Sequence, residues 1–159
     1  MSPRLTLRYA KGPPGACSFE FVREDGSGET ARIDADEAVL VDLLRCAVER
    51  ETRLRGSFFG ILGKIGGYQE LTVAGGAALG GEIAITERVV GALIEVMADE
   101  HLVDEKRAEA LIERSRPEDG RPPRWLSGER AASIVAKARE LKAGWDALSS
   151  EETLELVFD

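Results

Sequence analysis

In this chain of 159 residues, 29 acidic side chains outnumber 21 basic ones, giving a formal charge of −8 at pH 7. That field opposes the counterion release that drives most nucleic-acid binding, so direct DNA or RNA binding is not expected and a basic protein partner is favoured. The length suits one domain over 1–159, and two cysteines, Cys17 and Cys46, without CxxC spacing argue against a disulfide scaffold or a zinc site.

No run approaches the ~20 apolar residues of a membrane span, and Met1-Ser2-Pro3-Arg4-Leu5 opens no apolar signal core. A cytoplasmic protein with no membrane partner is expected. Leu5, Leu7 and Tyr9 alternate with Thr6 and Arg8, and after Gly12-Pro13-Pro14-Gly15 the alternation resumes at Cys17, Phe19 and Phe21. This pattern predicts an antiparallel strand pair. The turn Asp25-Gly26-Ser27-Gly28 leads to a third strand from Glu29 to Ile33. Asp34 then caps a helix with the stripe Leu40, Leu43, Leu44, Ala47 and Val48, ending before Gly56.

The next stretch, Gly56 to Gly81, holds nine of the 17 glycines and frames Lys64 in Gly63-Lys64-Ile65-Gly66. A phosphate-binding Walker loop needs glycine where Phe58 stands and a hydroxyl where Ile65 stands, and a dinucleotide fingerprint begun at Gly75 needs glycine at Ala77. Both motifs fail. The segment predicts a hairpin of Leu71-Thr72-Val73 and Glu82-Ile83-Ala84-Ile85 joined through Gly75, Gly76, Gly80 and Gly81. Phe58-Phe59-Gly60-Ile61-Leu62 reads as core, with a pliable binding flap as the competing reading.

Beyond it, Thr86 is placed to cap a helix striped by Val90, Leu93, Ile94 and Met97, and Asp104 a shorter one carrying Ala108, Leu111 and Ile112. These form a helical hairpin around His101. A proline-rich connector spans 115–126, after which Ser127 caps a helix whose buried series is Ala131, Ile134, Val135, Ala138, Leu141, Trp145 and Leu148. Leu154, Leu156 and Phe158 alternate as a last strand returning to the sheet. The fold class is α+β: a small antiparallel sheet packed against helices, with a largely helical C-terminal half.

The lone His101, beside Glu100 and Asp104, excludes a multi-histidine metal site and reads better as a solvated helix end than as an acid–base group. HExxH, the EF-hand loop and the GxSxG elbow do not occur, so no catalytic residue, metal or cofactor is assigned and an enzyme is not the favoured reading. Trp125 follows Arg121-Pro122-Pro123-Arg124 and is either an exposed partner anchor or a staple folded back before the Ser127 cap. Acidic residues gather in three places, at Glu151, Glu152, Glu155 and Asp159 near the C-terminus, at Asp34, Asp36, Glu37 and Asp42, and at Glu95, Asp99 and Glu100.

The leading expectation is a non-catalytic acidic protein-binding module of inhibitor or immunity type, which neutralises a basic partner such as a toxin or nuclease through those acids and Trp125. The alternative is a small-ligand-binding protein or enzyme using 56–81 as a flap, with Lys64, Gly75, Gly76, Gly80, Gly81 and His101 at its site. A third reading is an adaptor subunit of a larger bacterial assembly.

Overall fold

The computed structural model describes residues 4–74 and 81–158. Strands β1 (Leu5–Lys11), β2 (Ala16–Arg23), β3 (Gly28–Asp34) and β4 (Thr153–Phe158) form one antiparallel sheet in the order β3-β2-β1-β4. The C-terminal strand does return, as its alternation predicts. Leu7 lies opposite both Phe21 and Leu156, and Leu5 opposite Phe158, so the apolar sets of three strands fall on one face. Leu5, Leu7, Tyr9, Cys17, Phe19, Phe21 and Leu156 are buried there. On the other face Arg8 bridges Glu20 at 3.3 Å and Glu155 at 2.8 Å, the cross-strand pairing expected of a wet surface.

Helix α1 (Glu37–Thr52) lies on the buried face. Asp34 Oδ1 accepts the N–H groups of Asp36 and Glu37 at 2.9 and 2.6 Å, the bond its sequence predicts, but Asp34 closes β3 and the N-cap position itself is Asp36, whose side chain makes no cap bond. Three short or medium helices follow: α2 (Phe58–Leu62), α3 (Tyr68–Ala74) and α4 (Gly81–Ala98). A 3₁₀ turn (Asp104–Lys106) precedes α5 (Arg107–Arg114), and α6 (Gly128–Asp146) runs after the irregular stretch. Ser127 Oγ accepts the Arg130 N–H at 3.1 Å, and Ala131, Ile134, Val135, Ala138, Leu141 and Trp145 are buried along α6.

Three expectations are overturned. The glycine-rich stretch is not a hairpin: Leu71 belongs to α3, and Glu82 to Ile85 form the first turn and a half of α4. Ile83, Thr86, Val90 and Leu93 make the buried helical stripe, and a four-residue alternation is too short to separate strand from helix. Thr86 is therefore inside the helix rather than capping it. Its hydroxyl donates to the Glu82 carbonyl at 2.8 Å and lies 2.6 Å from Ser57 Oγ. Nor is Asp104 a cap: it is the first residue of the 3₁₀ turn, and its carboxylate pairs with Arg107 and Arg139. Gly75, Gly76 and Gly80 lie outside the described residues.

Phe58, Phe59 and Leu62 are buried, so that stretch is core. Arg45 pairs with Glu87 and, further on, the Gly56 N–H bonds Glu82, so positions ascending along α1 meet positions descending along α4. The two helices are antiparallel. Likewise Arg130, in the first turn of α6, donates to the Glu51 carbonyl near the end of α1.

Candidate functional site

At its C-terminal end α1 closes with Arg53 in the left-handed conformation, φ 55°. The chain turns through Leu54, Arg55 and Gly56 and enters α2. Glu49, buried in the last turns of α1, fixes the position of α2: Oε1 accepts the N–H groups of Phe59 at 3.0 Å and Gly60 at 3.2 Å. Only glycine fits at position 60, because a Cβ there would collide with the Arg55 carbonyl.

This packing opens a cleft of about 450 Å³ lined by Glu49, Arg50, Arg53, Leu54 and Arg55, by Phe59, Gly60 and Lys64, and by Leu5, Val157 and Phe158 of the sheet. Arg50, Arg53, Arg55 and Lys64 are exposed. Among the described residues none of these four has a carboxylate partner, whereas Arg8, Arg45, Arg107, Arg114 and Arg139 are all engaged in ion pairs. The Arg50 guanidinium lies 5.9 Å from the Phe158 ring, which in turn packs at 5.4 Å on Phe59. Burial pushes the Glu49 carboxyl up to about 8, against the opposing pull of its two amide donors. Oε2 shares the Phe59 N–H, at 3.2 Å.

A second charged cluster is built around Asp42, two turns earlier on α1 than Glu49. Asp42 Oδ2 accepts the hydroxyls of Tyr9 at 2.9 Å and Tyr68 at 2.8 Å, and Oδ1 meets Arg45 at 2.9 Å. Arg45 reaches Glu87 at 2.7 Å and stacks 3.9 Å from the Phe58 ring centre. Desolvation raises the Asp42 carboxyl, with Arg45 pulling it down. The same burial, with the Asp42 charge, raises both tyrosines. The cluster joins sheet, α1, α3 and α4 through one carboxylate.

Asp42 is thus a correction. Placed by its sequence among acids available to a partner, it is fully buried, because α1 turns that side toward Tyr9 and Tyr68. Asp34 is exposed with its carboxylate used at the start of α1, and Asp99 is paired with Arg114 at 2.8 Å. Asp36, Glu37, Glu95 and Glu100 are exposed. The antiparallel packing puts these four at one end of the α1–α4 pair and the cationic cleft at the other.

Trp125, half-buried against the core, is three residues before α6, whose first turn bonds Glu51, so it sits toward the cleft end rather than with the acids. Lys64 lines the cleft, and Gly81 opens α4 with φ 60°. His101 lies beyond the far end of α4, a helix roughly 27 Å long at 1.5 Å per residue, so the structure does not bring it to Lys64. Sequence reasoning missed Arg50, Arg53 and Arg55. Their signal was three arginines within six residues at a helix end, a pattern indistinguishable from a solvated terminus until α2 and β4 are placed opposite.

Among the described residues no group of three His, Cys, Asp or Glu side chains is placed to hold a metal, and no helix is long and apolar enough to cross a membrane. Comparison with known protein families, curated proteins and solved structures finds no match.

Proposed function

We propose that this chain is a non-catalytic binding module that takes an anionic ligand in the cleft at the end of α1. The supporting observation is the gathering of Arg50, Arg53, Arg55 and Lys64, without carboxylate partners among the described residues, around one cavity in a chain of net charge −8. A bound anion supplies the counter-charge that these side chains lack among the described residues. The cleft lies at the end of the α1–α4 pair away from Asp36, Glu37, Glu95 and Glu100, so a bound anion is kept apart from those charges.

Calorimetric titration with inorganic pyrophosphate at low salt tests this reading. Arg53→Ala and Lys64→Ala are each expected to weaken binding about tenfold, as loss of a charge-assisted hydrogen bond does, while Lys142→Ala on α6 changes nothing. Absence of binding, or equal affinity in all variants, would sink the reading.

A second reading, a module that neutralises a basic protein in the manner of an inhibitor or immunity protein, draws on the opposite end. Exposed Asp36, Glu37, Glu95 and Glu100 collect there without ion pairs among the described residues. For such a partner, Glu37→Lys with Glu95→Lys slows association and the cleft substitutions do not.

A further inference from the structure

The two sides of the cleft differ in chemistry. All four cations come from the helical side, at the end of α1, the turn after it and the second residue past α2. The apolar side is half-buried Phe158 at the end of β4 with half-buried Leu54 of the turn, over a floor of Leu5 and Phe59, which are themselves buried. At about 450 Å³ the space equals roughly 15 times the share of one liquid water, far more than a bare oxyanion fills, and falls in the range of small-molecule sites. An inorganic anion would satisfy the cationic side and leave the apolar side wet. Phe158 is only half-buried, with Arg50 near its ring, so the two chemistries meet there.

We propose that the ligand is an amphiphilic organic anion, a phosphate or carboxylate group carried on a compact ring-bearing apolar body. The anionic group meets Arg53, Arg55 and Lys64, and the ring packs against Phe158 and Leu54. This rests on the anion-binding reading above and narrows it to a ligand class. Burial of a ring against Phe158 adds affinity that an inorganic anion does not have, through apolar area and offset stacking.

The test is calorimetric titration of the wild-type chain with inorganic phosphate, phenyl phosphate, benzoate and phenol in separate experiments. Phenyl phosphate or benzoate is expected to bind at least about tenfold more tightly than inorganic phosphate, and the tighter of the two identifies the headgroup. Phenol, lacking the charge, is expected not to bind measurably. Phe158→Ser should remove the advantage of the ring while leaving inorganic phosphate within about twofold of wild type. Leu54→Ser, on the turn and outside the sheet, repeats the measurement should the Phe158 variant fail to fold. Equal affinity for inorganic phosphate and both ring-bearing anions would overturn this inference and leave the anion-binding reading standing. Binding of none of the anions would overturn both.

Discussion

Replacing Asp42 with alanine is expected to destabilise the fold by roughly 3–5 kcal/mol, the range for breaking a buried ion pair from one side. Asp42 is fully buried and is the acceptor for two phenols and a guanidinium. Its removal leaves the buried Tyr9 and Tyr68 hydroxyls without that acceptor, and leaves Arg45 with Glu87 as its carboxylate partner. Asp42→Asn keeps an acceptor oxygen and is expected to cost less. Urea denaturation followed by circular dichroism gives the comparison. A loss for Asp42→Ala within about 1 kcal/mol would mean that the cluster does not join sheet, α1, α3 and α4 as described.

The second large effect is a pH dependence. In the native state the Glu49 carboxyl is raised by burial to about 8, from an ordinary value near 4.5. Between those values the unfolded chain has released the proton while the native chain retains it, so the native state binds more protons and stability falls as pH rises. The contribution is fully present below about 4.5 and is lost as pH passes through about 8, amounting to several kcal/mol across the window. Asp42, also raised by burial, acts in the same direction, so the measurement is a difference between wild type and Glu49→Gln. Glutamine keeps the acceptor for the Phe59 and Gly60 amides and cannot ionise. The variant should show a flatter profile between pH 5 and 8, and parallel profiles would refute a raised Glu49.

Sequence and structure agree where a pattern is local and repeated. Leu5, Leu7, Tyr9 and Cys17, Phe19, Phe21 alternate long enough to fix strand, face and partner, and Leu154, Leu156 and Phe158 do so at the far end of the chain. Ser127 and the apolar series behind it define α6 because cap and stripe begin at the same place. The glycine-dense stretch failed for the opposite reason: Glu82-Ile83-Ala84-Ile85 satisfies both periods, and tertiary burial of Ile83 and of Thr86, which meets Ser57 before α2, decides for the helix.

Asp42 was illegible because its partners, Tyr9 and Tyr68, are 33 and 26 residues away. Locally it is one more acid on an acidic helix. The cleft was illegible in the same way, since its arginines, Lys64 and Phe158 come from separate segments and only the packing of α2 by Glu49 brings them around one space. Lys64 alone was visible, as a lysine between glycines, without the company that gives it a role.

The most direct test of the cationic cleft is an amide ¹H–¹⁵N titration of the isotopically labelled chain with inorganic pyrophosphate at low salt. Saturable shifts concentrated at Arg53, Arg55, Phe59, Gly60 and Lys64, with Asp36, Glu37 and His101 unmoved, are the predicted result. Shifts that never saturate, or that gather away from the end of α1, would contradict it.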